Sequence, residues 1–198
     1  MRYFVFVQDD DLDDAAVLTK PPAQIEDELY RFDEGVPLRD WFPSPAAFPM
    51  NPDFPKGRKL YPLQATTITG ILVVSKELRA LFEEVGCDNI EYLPISIIDH
   101  RKKLASADYC IANVLHPIDA MDRERSIFDN NAILPTRVSG VEKLVLLEDR
   151  IPPSRHIFRL TNAPQFFIVS ETLKKAITSK KLGGMLFVPP EEFDDALY

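Results

Sequence analysis

Two serines stand where a nucleophile could stand. Ser75, in "ILVVSKELRAL", and Ser170, in "FFIVSETLKKA", each follow an apolar run and open an amphipathic helical pattern. A serine on a strand-to-helix turn can attack a substrate, but that elbow is crowded and is normally relieved by the glycines of G-x-S-x-G. The flanks here are "VVSKE" and "IVSET", without glycine, and the arrangement occurs twice in one small chain. The other role open to such a serine is capping, in which its hydroxyl oxygen accepts a backbone N–H left unpaired in the first helical turn. We read Ser75 and Ser170 as structural helix caps.

The other reactive side chains are sparse. "HPIDAMD" spaces His116, Asp119 and Asp122 three residues apart. On a helix they would drift about one face, where a divalent metal or acid–base chemistry is conceivable. The competing reading is a polar turn with an aspartate cap after Pro117, and we adopt it, keeping an enzyme that uses this region as an alternative. Asp99 and His100 are neighbours in a charged loop, "DHRKK", and His156 in "RHIFRL" reads as structural. Cys87 and Cys110 match no metal or redox spacing and read as reduced, half-buried thiols. The seven glycines form no phosphate-binding loop. Residue types and spacing therefore nominate no catalytic, cofactor-binding or metal-ligating residue, and no cofactor.

Charge narrows the partners. With 31 acidic and 23 basic residues, the formal net charge is −8. A general nucleic-acid binder needs a basic face to neutralise phosphates, and anionic lipid would repel this chain. The acid is concentrated in "DDDLDD" (9–14) and "IEDELYRFDE" (25–34). It serves solubility, or it complements a basic partner. On the second reading the candidate partner-binding residues are Asp9, Asp10, Asp11, Asp13, Asp14, Glu26, Asp27 and Glu28. Trp41 and Phe42 are added as aromatic anchors, unless they only clamp their own segment to the core. No apolar run reaches the ~18 residues that span a bilayer. The opening "MRYFVFV" is too short for a signal peptide and reads as a strand. A cytoplasmic location is expected.

The elements that must position these residues fall into three zones. Residues 1–69 hold the opening strand, a possible short helix over 23–31 and a proline-rich stretch. Its prolines, from Pro37, Pro43, Pro45 and Pro49 to Pro52, Pro55 and Pro62, exclude regular helix or central strand. The interleaved Trp41, Phe42, Phe48, Phe54 and Tyr61 are unlike a disordered linker, so an irregular but packed segment is expected. The second zone, 66–99, reads as the buried strand "GILVV", the Ser75-capped helix with Leu78, Leu81, Phe82 and Val85 on one face, a stop at Gly86, and the strand "IEYLPISII". The last zone ends in a second copy, with "FFIV", the Ser170 cap, Leu173, Ala176 and Ile177 on the buried face, "LGG" as the stop, and "MLFV". Val74 and Val169, Ser75 and Ser170, Leu78 and Leu173, and Pro94 and Pro189 keep one constant offset. The class implied is mixed α/β (α+β): a single domain with a mixed sheet, two strand–helix–strand units that would fit a common sheet, and a proline-rich N-terminal segment. Residues 1–69 would form the N-terminal segment and 70–198 the body.

The second half also carries a resemblance. "DAMDRERSIFD", followed by "VEKLVLLEDRIPPSRHIFRLTNAPQFFIVSETLKKAITSKKLGGMLFVP", resembles immunity-protein family eleven of the bacterial polymorphic-toxin systems. Asp119, Asp122 and Ser126 match its Asp–x–x–Asp–x–x–x–Ser element, and Ile157, Phe158 and Arg159 its "IFR" strand. Residues 168–176 match its "IVSE" helix opening, and Gly184 and Phe187 its closing strand. The resemblance runs over residues 70–189 and is loose before them. Between "IFR" and "IVSE" this chain has "TNAPQ", where members often carry tryptophan and glycine. The resemblance implies an antitoxin that binds a cognate toxin domain stoichiometrically, without turnover or cofactor, in the cytoplasm. Charge adds that the toxin could be a basic nuclease. A regulatory or structural interaction module with another partner is the alternative. Neither oligomeric state nor direct contact with nucleic acid or membrane is implied.

Overall fold

The two serine-capped segments build the same unit twice. In the computed structural model, which describes residues 1–44 and 46–197 (Pro45 and Tyr198 lie outside them), the strands and helices run in the following order. They are β1 (Tyr3–Gln8), β2 (Ala46–Pro49), β3 (Leu63–Gln64), β4 (Val73–Ser75), α1 (Lys76–Val85), β5 (Ile90–Ile98), β6 (Leu104–Val114), β7 (Ile127–Asn130), β8 (Val138–Lys143), β9 (Ile157–Arg159), β10 (Phe167–Ser170), α2 (Glu171–Ser179) and β11 (Met185–Val188). A four-stranded sheet has the order β11-β1-β10-β9, and a five-stranded sheet the order β2-β5-β6-β4-β3. In the second, β4 and β5 both run antiparallel to β6, which lies between them. In the first, β10 and β11 both run antiparallel to β1. Each helix therefore connects two parallel strands across an antiparallel third, and β9 flanks β10 as β3 flanks β4. The mixed α/β class holds. The two units lie in separate sheets and not on a common one, because β1 and β6 each supply a private central strand.

The helices bind the sheets together. Leu78, Leu81 and Phe82 of α1 and Leu173 and Ile177 of α2 join Phe4, Phe6, Val74, Ala112, Phe167 and Val169 in one buried cluster. The far face of the five-stranded sheet is covered by the N-terminal zone, where Ile25, Phe32, Leu38, Phe42 and Phe48 pack on Leu93, Ile95 and Ile111. Prolines keep that zone irregular while its aromatics make it part of the core. The expected helix at 23–31 is a 3-10 segment, Glu26–Glu34, kinked at Glu28. The far face of the four-stranded sheet packs against residues of the β7–β8 hairpin and its flanks, among them Met121, Val138, Val141 and Leu144.

One helix stop differs from its expectation. Gly86 ends α1 in the left-handed conformation, but α2 ends at Lys180, followed by Lys181 at φ 56°. The following glycines serve the seam between the sheets. Gly184 has φ +93°, and a Cβ there would stand 2.2 Å from the Leu63 carbonyl oxygen. Its own carbonyl accepts the Asp9 N–H at 3.1 Å, and Gly183 accepts the Leu63 N–H at 3.4 Å.

The deepest charge in the molecule sits at this junction. Arg159 of β9 is fully buried. Its guanidinium donates to the carbonyls of Pro164 at 2.6 Å and Gly70 at 2.8 Å, and lies 4.2 Å from the Phe167 ring centroid. Burial pulls its pKa down to about 10, and the negative charge of Asp33 opposes that shift. Asp33 is itself raised, first by desolvation, with Arg159 and Arg137 working against the rise. Gly70 has φ +78°, and a Cβ there would meet Asp33 Oδ1 at 2.9 Å. Leaving a buried hydrogen-bonding group without its partner costs about 1–3 kcal/mol. Arg159→Met, which strands the carbonyls of Pro164 and Gly70, should lose at least that much in urea unfolding. Asp33→Asn keeps both carbonyl bonds and should lose less. Equally small losses from the two substitutions would show that the buried guanidinium does not hold the junction.

Candidate functional site

The residues with possible chemistry are committed to structure. Ser75 Oγ accepts the Leu78 N–H at 3.2 Å, and Ser170 Oγ accepts the Leu173 N–H at the same distance. Both are N-caps. Ser170 has a second contact, His156 Nδ1 at 2.9 Å. A serine beside a histidine suggests an activated nucleophile, but Ser170 is fully buried. A nucleophile must meet its substrate, and this hydroxyl already holds a helix N–H and an imidazole.

His116, Asp119 and Asp122 separate into different tasks. His116 takes a left-handed turn at φ 59°, and its N–H donates to Gly35 at 3.0 Å. Asp119 pairs with Arg150 at 3.1 Å. Asp122 accepts the N–H groups of Glu124 at 3.0 Å and Arg125 at 3.1 Å, and the Arg125 side chain at 2.6 Å. The Arg125 side-chain bond is the main cause holding its carboxyl below the usual carboxylate range. Ser126, the last residue of the same element, accepts the Val145 N–H at 2.9 Å. The Asp–x–x–Asp–x–x–x–Ser pattern thus folds a polar turn against the segment that follows β8. Among the described residues no group of three or more His, Cys, Asp or Glu is placed to hold a metal ion. Cys87 and Cys110 are buried, which raises their thiols to about 12 and about 11.

The candidate partner-binding residues do not form one patch of equal members. Asp10, Asp11 and Asp13 are exposed in the loop after β1, with Asp9 half-buried. Asp10 is raised, first by partial desolvation and then by Asp9 and Asp11, while a hydrogen bond from Gln8 opposes the rise. Asp14 is tied to Tyr61 at 2.6 Å and to Lys59 at 3.4 Å. Glu26 and Asp27 are exposed, whereas Glu28 pairs with Arg31 at 2.6 Å. Phe42 is buried with Phe32. Trp41 is half-buried, edge-on to Phe32 with centroids 6.1 Å apart, and Arg31 covers its ring at 5.1 Å. Both aromatics thus clamp the segment to the core.

A model of the Immunity protein family (Imm11) matches residues 2–192. The chain belongs to this family. No curated protein matches the sequence. The family match begins at residue 2, well before the region of resemblance read from motifs, so the N-terminal zone lies within the family domain. The segments that carried the resemblance have structural tasks: "IFR" supplies Arg159, "IVSE" supplies the Ser170 cap, and Gly184 makes the close approach to Leu63. Among the described residues no helix is long and apolar enough to cross a membrane.

Motif reading missed two features. One is the burial of Arg159. A single arginine between apolar residues in "HIFRL" was its signal, since such a residue in a buried strand must find partners. The other is the hairpin tip described below, signalled by the apolar pair in "NNAILPT" between turn-forming residues. Loss of an N-cap costs about 0.5–2 kcal/mol. Ser75→Ala should fall low in that range and Ser170→Ala high, because the second also abandons His156. Thermal unfolding of both variants checks the order, and a fluorophosphonate probe should leave the folded wild-type protein unlabelled. Labelling at Ser170 would contradict the cap assignment.

Proposed function

We propose that this immunity-family protein neutralises a cognate secreted toxin domain by binding it stoichiometrically, without turnover or a cofactor. The observation that carries the reading is the family match over residues 2–192. The site chemistry supports it, because the serines, histidine and aspartates that could have served catalysis already hold caps, turns and ion pairs. The protein acts where the toxin would act, in the cytoplasm of the producing cell.

The net charge of −8 gives the toxin surface a sign. A nuclease-type toxin has a basic cleft, and exposed carboxylates accelerate encounter with it through long-range attraction. Asp10, Asp11 and Asp13 on one loop, and Glu26 and Asp27 on another, are the carboxylates best placed for this, being exposed and, among the described residues, without ion pairs to neighbouring bases. Asp14 and Glu28 are already neutralised by Lys59 and Arg31. Replacing Asp10, Asp11 and Asp13 with asparagine should slow association with the toxin domain about tenfold at low salt and flatten its dependence on ionic strength. Glu26→Gln with Asp27→Asn forms a second block. Stopped-flow association from low to physiological salt reads the effect. An unchanged rate and slope in both blocks would leave the acid as solubility charge alone.

A further inference from the structure

The β7–β8 hairpin carries the most exposed apolar side chain among the described residues, Ile133, with a second exposed apolar residue beside it. Ile133 is 88% exposed and Leu134 53%, both in the loop 131–137. Isolated exposed apolar residues are ordinary. Here two neighbours stand together on a tip whose backbone is fixed. Asn131 Oδ1 accepts the N–H groups of both Ile133 and Leu134 at 2.9 Å. The Arg137 N–H donates to Leu134 at 2.8 Å, and the Asn131 N–H donates back to Arg137 at 3.1 Å. Pro135 restricts Leu134 to extended conformations. Arg123 braces the base by donating to Asn130 Oδ1 at 3.0 Å and lying 4.6 Å over the Phe128 ring.

The hairpin is also rooted in the junction. Arg137 pairs with Asp33 at 3.7 Å, the carboxylate whose negative charge favours the buried Arg159 cation. The Val138 N–H donates to Asn162 at 2.9 Å. The tip is thus an exposed apolar projection held ready before any contact, and the arginines beside it are already engaged: Arg123 with Asn130, Arg137 with Asp33. A receptor for it needs an apolar hollow and no acid.

From this we infer that Ile133 and Leu134 are the apolar anchor that inserts into a concave, apolar site on the toxin domain. The inference rests on the neutralisation reading above and adds the contact that holds the complex. A second copy of this chain is a poor occupant. A two-fold interface pairs a patch with itself, and two convex tips of two side chains each bury far less than the ~1,200 Å² of a stable interface. A membrane surface is disfavoured by the net charge of −8. On a protein partner, a small rigid anchor loses little conformational entropy on docking and governs dissociation, while the distant carboxylates govern encounter.

The test uses the full-length protein and a catalytically inactivated form of the toxin domain encoded beside its gene. Ile133→Ser with Leu134→Ser should leave the melting temperature unchanged, because both side chains are exposed. It should weaken Kd about 100-fold, almost wholly through faster dissociation, with association rate and salt slope intact. Wild-type affinity in this variant would overturn the anchor and leave the neutralisation reading standing. Failure of the wild-type protein to bind the domain would overturn both. A wild-type dimer in light scattering that becomes monomeric in the variant would assign the tip to self-association and overturn the inference.

Discussion

A guanidinium without access to water must find all its compensation inside the protein. Arginine stays charged at any physiological pH, so Arg159 dictates what surrounds it. Its two carbonyl partners come from different places, Gly70 before β4 and Pro164 between β9 and β10. Its ring partner is Phe167 of β10, and its compensating charge, Asp33, comes from the N-terminal zone. One side chain thereby touches the segment before β4 and the β9–β10 turn, and feels the charge of a carboxylate from the N-terminal zone. Gly70 has no Cβ to push Asp33 away. Asp33 in turn pairs with Arg137, the last residue of the β7–β8 loop. The end of the projecting loop and the buried charge thus share one carboxylate.

Around that junction the architecture is a duplicated unit closed by non-local strands. β1 sits between β10 and β11, so the sheet formed by the end of the chain has its central strand from the beginning. The other unit takes its central strand, β6, from the residues that follow β5. The duplication is of arrangement, with helix caps, buried leucines and left-handed stops falling at matching positions. It uses serine for what serine does at a helix start, and both hydroxyls accept a first-turn N–H.

Much of this was legible in the sequence. Apolar runs marked β4, β5, β10 and β11, and the serine followed by leucine at helical spacing marked α1 and α2. The interleaving of aromatics with proline indicated a packed N-terminal segment, and Phe42 and Phe48 are buried there, although Phe54 is exposed. Strand β6 was not legible, because its first half, "LASAD", is exposed and carries no apolar run. Its pairing is decided by β5 across a hairpin with two register shifts. The separation into two sheets was not legible either, since local patterns do not say which strand lies between two others. The expected glycine stop after α2 failed for a related reason: "GG" answered the close approach of β11 to Leu63, which only tertiary structure reveals. At the candidate site, exposed Asp10, Asp11 and Asp13 could be read from charge alone, but the neutralisation of Asp14 by Lys59 and Tyr61 joins residues far apart in sequence.

On the proposed reading, Arg159 pins the scaffold and recognition falls outside it, on the apolar tip and the acidic loops. Hydroxyl-radical footprinting of the free protein and of its complex with the toxin domain tests that division most directly, because it reads side-chain exposure residue by residue. The account predicts that Ile133 and Leu134, strongly reactive in the free protein, become protected on binding, while exposed side chains on α1 and α2 keep their reactivity. A tip as reactive in the complex as in the free protein, with protection falling instead on Arg79, Tyr92 and Pro94 beside α1, would contradict it.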